Sequence, residues 1–171
     1  ITIAKDNQAV IDMSDWVFLG VLPKVGENIL PNLNFRNNQT VISFMSTTNY
    51  SSLKKLIRKK ITIVRAIPMP PIRLCKGPVA IFPPNKKIKF FFNKIGTTIE
   101  IKNEKLSKNF WAISGTMASF YELLNVLSNW LIKKKTNKID AQKYVTSLYS
   151  ALGELALLNS SKPLKNLVNE Q

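Results

Sequence analysis

The chain has 171 residues, enough to bury a hydrophobic core and to form one domain or two small ones. One cysteine, Cys75, and the lack of histidine exclude a disulfide framework, a Cys/His zinc site and any histidine-dependent catalytic triad. The formal net charge is +15, and the basic runs at 54–60, 86–89 and 133–135 each lie beside a predicted helix, so we interpret them as solvated helix faces rather than a nucleic-acid site.

The sequence begins with short strand-like and helix-like segments in alternation. Strands are predicted at 1–4, 16–21, 40–45 and 61–67 from their apolar and β-branched runs. Helices are predicted over 7–13, with Asp6 or Asn7 as the cap, from Pro23, and after the polar turn 46–49. This order predicts an α/β fold in which parallel strands are joined by crossover helices.

A proline-rich segment follows the fourth predicted strand. Residues 61–67 have the composition of a strand covered on both faces, and the prolines after Ile67 cannot donate to a ladder, so the strand is expected to end near Ile67. Ligands of open α/β sheets bind beyond the carboxyl ends of the strands. We therefore expect the functional site at this rim.

Three strand-end segments are expected to lie along that rim. They are Gly20-Val21-Leu22-Pro23, Phe44-Met45-Ser46-Thr47 and Ala66-Ile67-Pro68-Met69-Pro70. Such an edge can hold an extended cofactor, with the turn backbones supplying hydrogen bonds and Phe44 and Met45 supplying apolar cover. Plain connections between strands and helices are the alternative interpretation.

The rest of the chain completes the sheet and adds a helical region. Strands are predicted at 78–82 and 97–101 and a helix at 86–95, while everything from Lys105 onward has a helical pattern. We place the domain boundary after residue 102, which gives domains of 1–102 and 103–171.

Two long helices in the second domain have more apolar surface than one neighbour can cover. Apolar residues recur at steps of three and four, at Phe110, Ile113, Met117, Phe120, Leu124, Leu127 and Leu131, and at Ala141, Val145, Leu148, Leu152 and Leu155. A second apolar side is added by Trp111, Leu123, Val126 and Trp130, which favours self-association over a helical core within one chain. Segment 111–132 is long enough to span a bilayer, but its polar residues and periodic spacing argue against a span.

A possible anion site lies within the first helical run. Gly115 between Ser114 and Thr116 predicts a helix break and restart, and the amides at a helix start can bind a carboxylate or phosphate. A kink with an N-cap is the alternative. Three carboxylates have no evident partner in the sequence, and none of them indicates an acid or base: Glu100, Glu104 and Glu122.

Over nearly its whole length, and at similar spacing, the chain resembles the pyrroline-5-carboxylate reductases. The matching segments, in order, are Asn7, 16–25, Val41-Ile42-Ser43, 64–68 and Ala112-Ile113-Ser114-Gly115. Those enzymes have a Rossmann domain for NAD(P)H and a helical C-terminal domain that dimerises by interlocking helices. The resemblance therefore implies a partial Rossmann-type parallel sheet followed by an all-helical dimerisation domain.

The resemblance also implies which residues contact the cofactor. Asn7 matches an asparagine near the adenosine end, and Gly20, Val21, Leu22 and Pro23 match the family's Ala-Val-Lys-Pro turn. Phe44, Met45 and Ser46 match a turn of small residues on the nicotinamide side. Pro68, Met69 and Pro70 match the Pro-Asn-Thr-Pro segment beside the nicotinamide.

For the substrate, Ser114, Gly115 and Thr116 match the start of the family's Ser-Gly-Ser-Gly-Pro-Ala, whose backbone amides would hold the substrate carboxylate. Two family segments would lie outside this sequence: a glycine-rich phosphate loop before Ile1 and a Gly-Gly-Thr loop after Gln171. The sequence departs from the family at Leu22, at Met69-Pro70 and at Met117-Ala118, so polar contacts to the nicotinamide amide and the imino acid are lost or rebuilt.

The function implied is that of an NAD(P)H-dependent oxidoreductase that transfers hydride to the C=N bond of a cyclic imino acid, as in proline biosynthesis. The cofactor would be NADPH or NADH, and the assembly a homodimer or higher homo-oligomer. The alternatives are a non-catalytic dinucleotide-binding dimer, or a related reductase with another small acid as substrate. With no signal-like segment near Lys5 and Asp6, we expect a cytoplasmic location, and we expect no metal, nucleic-acid or membrane partner.

Overall fold

The computed structural model describes residues 1–170. They form two compact units, Ile1–Ser114 and a second unit that begins at Gly115. The domain boundary after residue 102 remains a prediction, and the end of its second domain, Gln171, lies outside the described residues.

A five-stranded sheet forms the centre of the first unit. Its strands lie side by side in chain order: β1 (Trp16–Leu19), β2 (Thr40–Ser43), β3 (Thr62–Pro68), β4 (Pro78–Phe82) and β5 (Thr97–Glu100). β1, β2 and β3 are parallel, and β5 is parallel to β4. This mostly parallel sheet confirms the predicted α/β fold class.

β4 runs antiparallel to β3, with Ile67 opposite Ala80. The connection between these strands contains only the 3₁₀ helix Pro70–Leu74. A parallel crossover needs about a dozen residues or more, usually with an α-helix. The short connection therefore turns the chain back on itself.

The strand predicted at 1–4 is wrong. These residues have no regular secondary structure, and the side chains of Ile1 and Ile3 are exposed. A β-branched run forms a strand only where a ladder partner and a packed face are present, and this run has neither among the described residues. The predicted helix 86–95 also ends early, at Phe92.

Helices cover both faces of the sheet: α1 (Asn7–Asp12), α2 (Pro23–Ile29), α3 (Tyr50–Ile57) and α4 (Lys86–Phe92). Because side chains alternate along a strand, Val41 contributes to a core that also contains Ile11 and Leu53, while Ile42 contributes to a second core with Ile88 and Phe92. The predicted caps are confirmed: Asp6 Oδ1 accepts the Ala9 N–H at 2.8 Å, and Pro23 is in the first turn of α2.

Helix α5 (Ser107–Ser114) is the last element of the first unit. The second unit contains α6 (Met117–Lys133), α7 (Lys138–Leu158) and α8 (Lys165–Asn169), and the predicted break at Gly115 is confirmed. Within this unit α6 packs on α7, with the ring centroids of Phe120 and Tyr149 at 6.3 Å. Across residues 1–170, no helix has both the length and the hydrophobicity that a membrane span requires.

Candidate functional site

The carboxyl ends of β1, β2 and β3 lie at one edge of the sheet, as predicted. Leu19 pairs with Ser43, and Ser43 pairs with Arg65, so these three residues are level across the strands. The amide of Phe44 also donates to the carbonyl of Leu19 at 3.0 Å. The first residues of two predicted cofactor segments, Gly20 and Phe44, therefore begin neighbouring turns.

The turn after β1 exposes its backbone. A Cβ added at Gly20 would meet no described atom within 4 Å, so a ligand can approach the main chain closely there. Leu22 is 73% exposed, Val21 packs against the first core, and Pro23 starts α2 directly at the rim. This turn therefore leaves the main chain at Gly20 open at the rim.

The β2–α3 turn, residues 44–49, turns its apolar side chains inward. Met45 is 1% exposed, and a Cβ added at Gly26 of α2 would come within 2.5 Å of Met45 Cε. Phe44 packs with the second core, 5.8 Å from Phe18 between ring centroids. The turn therefore presents the exposed residues Ser46 and Thr47 at the rim.

The third rim segment lies farther out than the other two. β3 continues past Arg65 to Pro68, which pairs with Val79 of β4. Three residues of strand place Pro68 roughly 10 Å beyond the level of Arg65. Met69 then precedes the 3₁₀ helix that begins at Pro70. The rim is stepped, because the antiparallel partner β4 lets β3 run on where β1 and β2 stop.

The remaining predicted residues lie in helices or beside them. Asn7 is the exposed first residue of α1. Ser114 is the last residue of α5, and its hydroxyl donates to the carbonyl of Phe110 at 3.0 Å. Gly115 begins the second unit, and Thr116 is the residue before α6. The roles that the resemblance gives to all these residues, and to the three rim segments, remain predictions.

A charged cluster that the sequence patterns do not predict lies beside the rim. Arg65 on β3 is 3% exposed, and its guanidinium donates to the Glu104 carboxylate through Nη1 and to the Ser46 carbonyl through Nη2 at 2.8 Å. Oε1 of Glu104 also accepts the backbone N–H of Tyr50 at 2.7 Å. The guanidinium carbon lies 5.3 Å from the centre of the Trp111 ring.

Two of the three carboxylates that were expected to lack partners form ion pairs, so that expectation is wrong for them. Glu104 pairs with Arg65, and Glu100 pairs with Lys89 at 2.9 Å. The third, Glu122, is bonded to the side-chain amide of Asn125 at 3.2 Å. A signal was present in the sequence, because an arginine inside an apolar buried strand requires a carboxylate or carbonyl partner.

A cavity of about 410 Å³ lies beside the cluster and is lined by the Arg65–Glu104 pair. Its other lining residues include Thr47, Asn49 and Ser51 of the turn and of α3, and Lys105 and Trp111. The α3 end of the cavity is already capped, by Asn49 Oδ1 on the Ser52 N–H at 2.8 Å and by Glu104 on Tyr50. Among the described residues, no group of three or more acidic, cysteine or histidine residues is placed to hold a metal ion.

The chain was compared with known proteins in sequence and in structure. No protein-family model matches the sequence, and no curated protein matches it. In structure it is similar to pyrroline-5-carboxylate reductase from Streptococcus pyogenes, with 21% identity and a TM-score of 0.81 over 98% of this chain and 66% of that one. It is also similar to the Plasmodium falciparum pyrroline carboxylate reductase with NADP bound, with 20% identity and a TM-score of 0.81 over 98% of this chain and 66% of that one.

A third similar structure is a reductive aminase from Aspergillus terreus in complex with NADPH and ethyl levulinate, at 13% identity and a TM-score of 0.60 over 90% of this chain and 58% of that one. The chain thus spans about two thirds of the length of the first two structures. It has the fold of the pyrroline-5-carboxylate reductases, a partial Rossmann-type domain followed by a helical region, as the resemblance implies.

Proposed function

We propose that this chain is part of an NAD(P)H-dependent reductase that acts on C=N bonds and that its substrate is a cyclic imino acid of the pyrroline-5-carboxylate type. The observation that carries the proposal is the fold match to an NADP-bound pyrroline carboxylate reductase, which covers 98% of the chain at a TM-score of 0.81. A reductive aminase of similar fold, in complex with NADPH, supports the same class of chemistry.

The rim fits a dinucleotide. Two adjacent turns follow the carboxyl ends of parallel strands, and the open space at Gly20 lets a ligand reach the main chain there. In the proposal the turns at Gly20–Pro23 and Phe44–Ser46 hold the cofactor and Pro68–Pro70 borders the nicotinamide. A bound reduced nicotinamide would supply the hydride.

The substrate would be oriented by its carboxylate. In the proposal the backbone amides that follow Ser114, at Gly115 and Thr116, bind the substrate carboxylate. Hydride transfer to the imine carbon would break a C–H bond of the reduced nicotinamide and leave that ring oxidised. The π electrons of the C=N bond would move to nitrogen, which would take a proton from water to become the secondary amine. Cys75 is the lone cysteine, which supports a reducing, cytoplasmic location as part of the proposal.

The activity is tested with the full-length protein, by following NADPH consumption with pyrroline-5-carboxylate, a six-membered cyclic imino acid and an imine without a carboxylate. We expect turnover with the cyclic imino acids and slow turnover without the carboxylate. Turnover of another small acid alone would indicate the related reductase, and NADPH binding without turnover of any imine would indicate the non-catalytic alternative. Neither binding nor turnover would contradict the proposal as a whole.

The cofactor rim is tested by filling the space at Gly20. The Cβ of Gly20→Leu meets no described atom within 4 Å and Gly20 is exposed, so we expect normal folding and a Kd for NADPH at least about tenfold higher. Asn37→Leu is the control, because Asn37 is exposed in the turn before β2, at the opposite edge of the sheet. Equal NADPH affinity in both variants and the wild type would contradict the rim assignment.

We also propose that the second unit self-associates. Within the described residues after 114, only Ser128, Ala141 and Val145 are buried, and they form a small core for two long helices. Large apolar side chains on α6 and α7 remain exposed at Phe120, Tyr121, Leu123, Val126, Trp130, Tyr144, Leu148, Leu152 and Leu155. An apolar surface of this extent supports a partner face, and a second copy of the chain is the proposed partner.

Sedimentation of the full-length protein tests the assembly. We expect a dimer or a higher oligomer, and we expect Val126→Glu to weaken it because the charge would be buried in the contact. Asn125→Glu adds the same charge at an exposed polar position on the same helix and should leave the assembly intact. A monomer at micromolar concentration would contradict the proposal.

A further inference from the structure

One guanidinium holds the middle of the β2–α3 turn. Nη2 of Arg65 donates to the carbonyl of Ser46 at 2.8 Å, and the arginine side chain is 4% exposed. Water therefore has little access to replace this bond. The carbonyl at the centre of the turn is fixed by a buried, charged donor from the neighbouring strand.

Glu104 fixes the far end of the same turn. Its Oε1 accepts the N–H of Tyr50, the first residue of α3, at 2.7 Å and also accepts from Nη1 of Arg65. Ser46 and Tyr50 are thus joined through a single ion pair that spans the turn. Because both bonds are charge-assisted, they hold the turn more tightly than neutral bonds would.

The geometry requires arginine. Its planar fork reaches two acceptors at once, and its guanidinium carbon lies over the Trp111 ring, 5.3 Å from the ring centre. A lysine would keep the charge but would present a single nitrogen, which cannot reproduce the fork or the stacking. Nε of Arg65 has no hydrogen-bond partner among the described residues, so the two Nη atoms carry the contact.

We propose that Arg65 and Glu104 are positioning residues for the cofactor, acting through the β2–α3 turn. This inference rests on the proposed function, because it requires that Phe44–Ser46 contact the nicotinamide side of NADPH. Small displacements of a positioning group have large effects on binding and turnover, so the ion pair sets cofactor affinity from behind the turn.

The chain offers a matched control in Arg36. Its Nη2 donates to the Ser14 carbonyl at 2.8 Å and to the Asp15 carboxylate at 3.3 Å, the same pair of acceptor types that Arg65 uses. Ser14 and Asp15 precede β1, so this contact lies at the amino-terminal edge of the sheet, opposite the rim. Arg36 is more exposed, at 43% of its side chain, so thermal stability is measured for every variant.

The experiment compares Arg65→Lys, Glu104→Gln and Arg36→Lys in the full-length protein. The amide oxygen of Glu104→Gln can still accept from Tyr50, so this variant removes the charge while keeping the cap. NADPH affinity is measured by titration, and kcat and KM are measured for NADPH and for the imine. We expect Arg65→Lys and Glu104→Gln to raise the Kd and KM for NADPH about tenfold with a smaller change in the imine KM, and Arg36→Lys to change neither.

The outcomes separate the inference from the proposed function. A wild-type protein that does not bind NADPH would overturn the proposed function and the inference with it. If the wild-type protein binds NADPH, the inference alone would be overturned by an Arg65→Lys or Glu104→Gln variant that melts cooperatively and binds NADPH as tightly as the wild type does. Failure of both variants to fold would assign the pair a purely structural role, which would also overturn it.

Discussion

At the scale of single residues, the β2–α3 turn is defined by side-chain to backbone hydrogen bonds. Asn49 Oδ1 accepts the N–H of Ser52, and the carboxylate of Glu104 accepts the N–H of Tyr50, both in the first turn of α3. Both satisfy donors that a helix start leaves unpaired. Arg65 couples the second of these caps to Ser46, so a few polar groups decide where the turn lies.

The cap at Asn49 gives a direct prediction for stability. Asn49→Ala removes the acceptor of the Ser52 N–H, which lies at 2.8 Å, and should lower the free energy of unfolding by about 1 kcal/mol. Asn49→Asp keeps an accepting oxygen at the helix start and is the control, with an expected change close to zero. Urea unfolding measures both, and an equal loss in the two variants would contradict the assignment.

At the scale of elements, the antiparallel pair β3 and β4 and the following strand β5 depend on close backbone packing. Gly96 lies in the turn before β5, and the N–H of Thr97 donates to the carbonyl of Gly77 at 2.8 Å. A Cβ added at Gly96 would come within 2.7 Å of that same carbonyl oxygen and within 3.2 Å of Ile72 Cδ1. The start of β5 therefore fits only a glycine without local movement.

Gly96→Ala should destabilise the first unit by about 1–3 kcal/mol, because a backbone carbonyl must move to make room. Gly20→Ala is the control, since its Cβ meets open space and should change the unfolding free energy by less than about 0.5 kcal/mol. Thermal and urea unfolding of the two variants give the comparison. Equal stability of both variants would show that the turn at Gly96 adapts without strain.

At the scale of the whole molecule, ligand binding should raise the free energy of unfolding. NADPH at one hundred times its Kd should raise the free energy of unfolding of the full-length protein by about 2.7 kcal/mol, because it binds only the folded state. Melting curves over a series of NADPH concentrations measure this shift, and NADH in the same series identifies the preferred cofactor. A melting temperature independent of both nucleotides would contradict the proposed cofactor site.

Much of this architecture is predictable because it depends on local pattern. Three kinds of feature follow from short stretches of sequence, and the structure confirms them: the apolar runs of β1, β2 and β3, the cap at Asp6 and the break at Gly115. Parallel order among the first three strands follows from the intervening helices. The shared rim follows in turn, since parallel strands end at one edge.

Other features depend on contacts between residues distant in sequence, and only the tertiary structure decided them. The apolar run at 1–4 has no ladder partner among the described residues. The antiparallel direction of β4 results from its short connection to β3 and not from a local sequence pattern. Glu104 pairs with Arg65, 39 residues earlier in the sequence, and the charge pattern alone does not predict which carboxylate pairs with a buried arginine. The sequence alone determined the order of elements and the rim, because propensity and periodicity are local. The stepped shape of that rim and the ion pair behind it were decided only by the tertiary structure, because packing and burial depend on residues that are distant in sequence.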